Sequence, residues 1–287
     1  MKVKLVSYSN PTDEFVEKGI EDLKDLVSFC CRVSNPSNQY QTETSDKLIN
    51  YLIKHKHWSP LEMVSVCMEI ETTRDIARQI LRHRSFSFQE FSQRYADPTK
   101  ELDFVIREAR LQDPKNRQNS IDTNNTKLAE DWETKQKELI DKAKETYEWA
   151  VNNGIAKEQA RCVLPEGNTV SRMYMNGTLR SWIHYIDLRS ENGTQKEHAL
   201  VARECAKVMS TIFSTKHIHK DDSPKIEDNS PKVEDNSPKD DSPKVEDNSP
   251  KDVPKVDNSP KDVGQDIPQN IPYNYLKVDY DNITYFL

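Results

Sequence analysis

The sequence predicts an α+β fold, with mixed helices around a small sheet. Three observations carry that expectation. Segments with apolar residues at helical spacing recur through the first 219 residues. Three short stretches alternate in polarity as half-buried strands do. Those strands are separated from one another by helical segments, the pattern of a mixed architecture.

Taken in order, KVKLVSY at the N-terminus reads as an opening strand, and Asp13 to about Cys31 as one amphipathic helix. Ser45 to Lys56 reads as a second helix, with Leu48, Tyr51 and Leu52 on one side. His57-Trp58-Ser59-Pro60 breaks that pattern, and Met63 to Ile70 then alternates as a strand should. Thr72 or Thr73 can cap a helix that has Asp75 in its first turn and Ile76, Ala77, Ile80 and Leu81 as its apolar face. On that helix Arg74, Arg78 and Arg82 recur every four residues, as do Gln79 and His83. A long charged helix is expected from Asn125 to Asn152, with Leu128, Trp132, Leu139, Ala143 and Tyr147 facing inward and Gly154 ending it. A short helix, Ala156 to Val163, stops before Pro165. A strand from Thr169 to Met175, a tight turn at Asn176-Gly177, a helix through Arg189 and another from about Gln195 to Phe213 complete the body.

The formal net charge of −7 is unevenly placed: from Lys220 onward there are nine lysines against sixteen Asp and Glu, which leaves 32 basic and 32 acidic side chains before it. A balanced body has no broad cationic face, which disfavours a nucleic-acid-coating role. The domains expected are a folded body over 1–218, an acidic Ser-Pro-Lys repeat over 219–265 and an aromatic C-terminal segment over 266–287. The repeat has little apolar surface to bury and frequent prolines, so it should stay disordered and extended. Five cysteines without CxxC spacing, two of them vicinal (Cys30 and Cys31), fit a reducing compartment better than a disulfide framework. Cys162 reads as a small core residue. No signal-peptide pattern and no membrane-length apolar run is present, so a soluble cytoplasmic protein is expected. His55 and His57 alternate without a third ligand, so no metal site is expected.

The chemistry concentrates in Arg82 to Tyr95, where three arginines, a histidine, three serines and a glutamate are interleaved with Phe86, Phe88 and Phe91. Guanidinium groups match phosphate and carboxylate oxygens in a bidentate way, and aromatic neighbours suit a flat ring, so a nucleotide is the natural ligand. Only six glycines occur and none form GxGxxG or a P-loop, which shifts phosphate binding onto side chains. A solvated helix end with Glu90 and Arg94 paired at i,i+4 accounts for individual residues but not for the whole set. A nucleotide- or RNA-binding module using Arg82, Arg84 and Arg94 with stacking aromatics is a second reading, weakened by the balanced charge of the body.

The pattern RHRxxSxxExSxRY, met by Arg82, His83, Arg84, Ser87, Glu90, Ser92, Arg94 and Tyr95, resembles the signature of flavin-dependent thymidylate synthases. Arg32-Val33-Ser34, His57-Trp58-Ser59-Pro60, Arg161 to Pro165, Asp187-Leu188-Arg189 and Gln195-Lys196-Glu197 resemble further elements of that family, in the same order. The resemblance implies that residues 1–218 are the catalytic domain of a homotetramer with shared active sites. It implies reductive methylation of dUMP to dTMP through FAD, with methylenetetrahydrofolate as carbon donor and NADPH as reductant, and without a covalent enzyme nucleophile. FAD would then contact Ser59, Arg82, His83, Arg84, Glu90, Thr178, Arg180 and His184. Substrate dUMP would contact Gln79, Arg82, Glu90, Ser92, Arg94, Arg161 and Arg189, with Gln79 and Arg82 supplied by a neighbouring chain. Arg189 matches the catalytic arginine, which favours negative charge on the pyrimidine so that C5 can attack. The chain departs from the family pattern at Met63, His184, Gly193 and Gln89, and these departures bear on flavin contacts.

Overall fold

The computed structural model describes residues 1–191 and 193–213; the boundary near His219, the repeat over 219–265 and the segment over 266–287 lie outside them. The strands are β1 (Lys2–Tyr8), β2 (Ser65–Thr73), β3 (Phe86–Glu90), β4 (Arg110–Gln112), β5 (Ser120–Asp122) and β6 (Val170–Thr178). Four of them form an antiparallel sheet in the order β1-β2-β6-β3, and β4 pairs with β5 apart from it. The helices are α1 (Asp13–Val16), α2 (Leu23–Cys31), α3 (Ser45–Lys54), α4 (Arg74–Ile80), α5 (Pro98–Glu101), α6 (Thr126–Asn152), α7 (Lys157–Ala160), α8 (Leu179–Ser190) and α9 (Lys196–Ser210). The α+β expectation is borne out.

Alternation along the strands decides which face of the sheet is dry. Val66, Met68 and Ile70 of β2 and Met173 and Met175 of β6 are buried with Leu23, Val27, Ile49, Leu52, Ile76, Ile80, Trp182, Val201 and Met209 from α2, α3, α4, α8 and α9. Removing this apolar surface from water is the main favourable contribution to folding. Trp182 Nε1 donates to the Val66 carbonyl at 2.9 Å, so the largest core side chain leaves no donor unpaired. The other face carries polar pairs: Lys4 with Glu69 at 3.2 Å and Arg172 with Glu71 at 2.8 Å.

Several expectations are corrected. The helix read from Asp13 to Cys31 is broken: Gly19 takes φ +87°, Ile20 N donates back to the Phe15 carbonyl, and Asp22 accepts from Asp25 N to start α2. This is a Schellman closure followed by a new N-cap. On α3 the buried positions are Ser45, Ile49 and Leu52, while Tyr51 is exposed and packs against His55 and His57. Thr73 stands at the N-cap of α4, but its hydroxyl donates to the Asp75 carboxylate rather than capping the helix. Helix α4 stops at Ile80, so Arg82 and His83 lie in the turn beyond it. Asn176 and Gly177 form no turn: they continue β6, opposite Cys67 and Val66 on one side and Ser87 and Phe86 on the other. On α6 the buried stripe is Gln136, Ile140, Ala143, Tyr147 and Ala150, so Leu128, Trp132 and Leu139 are exposed in the chain. Among the described residues no helix is long and apolar enough to cross a membrane.

Candidate active site

Helix α4 leaves one end of β2, and α8 leaves the end of β6 that lies opposite the start of β2. Thr178 starts α8 by accepting from Ser181 N, an N-cap that fixes where the helix begins. The turn after α4 meets the C-terminal end of α8, and there Arg189 Nε donates to His83 Nε2 at 2.9 Å. Burial first, then Arg189 and Arg82, push the His83 imidazole down to about 4. It is therefore neutral near pH 7 and free to accept. Fully buried His198 lies beside it, pushed to about 3 by burial, Arg189 and His83. His198 Nδ1 is 3.2 Å from Gln79 Oε1, and Gln79 Nε2 donates to Gln195 Oε1 at 2.7 Å. Tyr185 closes the group from α8, its phenol pushed well up by burial.

A second group forms around Glu90 at the end of β3. Its carboxylate accepts from Arg78 Nη2 at 2.8 and 2.9 Å and from Ser171 Oγ at 2.8 Å, and it pairs with Arg74 at 3.7 Å. Glu90 thus does not pair with Arg94, whose partner is Glu158 at 3.3 Å. A third group, Ser92, Arg94, Tyr95, Lys157 and Glu158, borders an open depression of about 410 Å³. No imidazole is among the residues that line that depression, and among the described residues Ser92 has no hydrogen-bonded histidine of the kind that activates a serine. The fourth group holds exposed Ser59 and His184 with half-buried Thr178 and Arg180: Arg180 donates to the Glu62 carboxylate, and the His184 ring meets Trp58 edge-on at 4.4 Å. Desolvation in that contact, and then Arg180, hold the His184 imidazole below its ordinary value.

The pairing of the arginines separates two kinds. Arg74, Arg78, Arg94, Arg107, Arg110, Arg172 and Arg180 each meet a carboxylate. Among the described residues Arg32, Arg82, Arg84, Arg117, Arg161, Arg189 and Arg203 meet none. Four of these, Arg82, Arg84, Arg161 and Arg189, are expected site positions, and unneutralised guanidinium groups are suited to phosphates and to an anionic ring. This donor set fits a dinucleotide that is bound without a glycine-rich loop. The expected site residues nevertheless form separate groups, and the cavity of about 490 Å³ lined by Glu71, Arg107, Arg172 and Glu197 includes none of them.

Several residues of these groups escaped sequence reasoning. Arg74 and Arg78 were legible as a helical row, but their partner Glu90 arrives from a strand that no pattern marked. His198, which no motif marks, is fully buried beside His83. Cys162, expected in the core, is exposed on the turn Arg161–Val163, where Ala160 and Leu164 take the buried places instead. His55 and His57 are both exposed around Tyr51.

A model of the family described as thymidylate synthase complementing protein matches residues 16–214. The chain is 46% identical over 212 residues to a probable flavin-dependent thymidylate synthase of Paramecium bursaria Chlorella virus 1, covering 72% of this chain and 93% of that one. It is 45% identical over 217 residues to a flavin-dependent thymidylate synthase of Synechocystis sp., covering 75% of this chain and 97% of the relative. Among solved structures, a UMP/dUMP methylase PolB from Streptomyces cacaoi bound with 5-Br dUMP superposes with a TM-score of 0.59 at 24% identity, covering 74% of this chain and 90% of that one. That likeness concerns the fold. Since the family model spans most of the chain and both relatives match nearly end to end, the chain belongs to the thymidylate synthase complementing proteins, the flavin-dependent thymidylate synthase family.

Proposed function

We propose that the chain methylates dUMP to dTMP, with methylenetetrahydrofolate as carbon donor and NADPH as reductant, in a homotetramer whose active sites are shared between subunits. The observation that carries this reading is that four of the arginines without carboxylate partners, Arg82, Arg84, Arg161 and Arg189, stand at motif positions. Their separation over one chain suits sites completed by a neighbouring subunit, with Gln79 and Arg82 contributed across the interface. Residues 1–218 form the catalytic domain in this reading, and the repeat over 219–265 and the segment over 266–287 stand outside it. The five free thiols suit a cytoplasmic enzyme.

Ser59, Arg82, His83, Arg84, Glu90, Thr178, Arg180 and His184 would hold FAD, which when bound supplies the reducing power that completes the methyl group. The remaining work falls to the chain's own side chains. Arg161, together with Arg94 once it exchanges Glu158 for the ligand, neutralises the dUMP phosphate, with Ser92, Glu90 and Gln79 on the nucleoside. His83 accepts from Arg189 Nε, which leaves the terminal guanidinium nitrogens for the pyrimidine edge. A fixed positive charge there favours negative charge on the ring, making C5 nucleophilic without a thiol.

Tritium release from C5-tritiated dUMP, with methylenetetrahydrofolate and NADPH present, tests this. The purified chain should release label. Arg189→Ala should slow release by about 10²–10³-fold, the scale for losing one charge-stabilising group, while retaining flavin. Cys162→Ala should turn over normally. Undiminished release by the arginine variant, or an inactive cysteine variant, contradicts the assignment.

A further inference from the structure

A side-chain amide has two ends of nearly equal size and opposite hydrogen-bonding character, so its orientation must be set by its neighbours. Gln79 is such a case. Its Nε2 lies 2.7 Å from Gln195 Oε1, and its Oε1 lies 3.2 Å from His198 Nδ1. Gln195 Nε2 in turn lies 2.9 Å from Glu197 Oε2. At the far end, Glu197 meets Arg107 Nη1 at 2.9 Å and also Arg110. Arg107 is anchored by Asp75 at 2.8 Å and donates from Nε to the Gly167 carbonyl at 3.1 Å.

The polarity of this chain follows from its charged end. An ionised carboxylate can only accept, so Gln195 must turn its nitrogen toward Glu197 and its oxygen toward Gln79. Gln79 must then turn its own nitrogen toward Gln195 and its oxygen toward His198. His198 must carry its proton on Nδ1, which leaves Nε2 bare; that atom is buried and has no partner among the described residues. A reversal at any step sets two donors or two acceptors face to face, at the cost of a buried unmade hydrogen bond. A pyrimidine presents donors and acceptors in a fixed order, so the orientation of Gln79 decides whether that edge meets a match or a clash.

We propose that Gln195 and Glu197 are positioning residues: the Glu197 carboxylate, acting through the Gln195 amide, fixes which end of Gln79 faces the substrate pyrimidine. The inference rests on the dUMP reading given above and adds the groups that enforce its orientation. Glu197 itself touches neither substrate nor cofactor in this role. Arg107 and Arg110 serve to keep it ionised and in place.

The test uses the full-length protein and two variants. Glu197→Gln keeps the size of the side chain but makes its hydrogen-bonding end ambiguous; Gln195→Met severs the relay while leaving Glu197, Arg107 and Arg110 intact. Equilibrium titration with dUMP should show affinity falling about tenfold in each, the worth of one well-oriented hydrogen bond. The KM for dUMP should rise with it, kcat changing less, and Glu197→Asp should restore much of the loss. Nitrogen-15 NMR of labelled histidine should find His198 as the Nδ1–H tautomer in the wild type and as a mixture in Glu197→Gln. Wild-type dUMP affinity in both variants, or an Nε2–H tautomer in the unmodified chain, overturns the relay. A chain that binds no dUMP while His198 keeps the Nδ1–H form overturns the substrate reading and leaves the relay's polarity standing.

Discussion

His83 and Arg189 share a hydrogen bond that exists only while the imidazole is unprotonated. Both His83, at about 4, and His198, at about 3, sit below the ordinary histidine value of 6.5. Above 6.5 both are neutral whether the chain is folded or not, and they add no pH dependence. As pH falls below 6.5 toward 4 and 3, the unfolded chain takes up protons that the folded one refuses, and stability is lost. The slope is at most about 1.4 kcal/mol per pH unit for each histidine, and smaller for partly solvated His83. Glu197 adds a later loss. Burial would raise its carboxyl, but Arg110, its own backbone amide, Gln195 and Arg107 hold it at about 2 against 4.5, so its contribution disappears as pH drops through that interval. Thermal melts should therefore fall steadily between about pH 6.5 and about pH 5, and more shallowly in His198→Gln; a flat wild-type profile would refute the neutral pair. At this scale residue types and spacing singled out Arg82, His83, Arg84 and Glu90, and the family resemblance added Arg189. The partners were not, because Glu90 with Arg78 and Arg189 with His83 are contacts between elements distant in the chain.

Elements were legible where a single periodicity governed them, as in β1, α8 and α9. They were misread where one residue changed the backbone's course or allowed a close approach. Gly19, at positive φ, ends α1 within what reads as a continuous amphipathic helix. Gly177 was read as a turn because Asn-Gly pairs favour hairpins, yet it lies inside β6 for a steric reason. A Cβ there would come within 2.4 and 2.6 Å of the Phe86 ring. That ring is itself held by Trp182, with centroids 4.9 Å apart, so it has little room to yield. Gly177→Ala should destabilise the chain by roughly 1–3 kcal/mol through overpacking, read as a lower melting temperature. An unchanged melt would mean that Phe86 has an alternative rotamer available. The same alanine should disturb the turn before β3, where Arg82, His83 and Arg84 sit.

At the scale of the whole molecule, the described chain leaves its candidate site in separate groups and leaves large apolar side chains uncovered. Trp132, Leu139 and Trp149 of α6 are 45%, 54% and 60% exposed. Periodicity could not distinguish a face that packs within the chain from one that packs against another copy, since both are apolar stripes. In the tetramer proposed here, such faces would be covered and the unneutralised arginines would converge on shared ligands. That convergence is the central claim. The most direct measurement of it is the absorption spectrum of the purified full-length protein, with and without dUMP. A yellow protein with the flavin spectrum, releasing FAD on denaturation and shifting when dUMP is added, is the expected result. A colourless protein that takes up no flavin from excess FAD would contradict it.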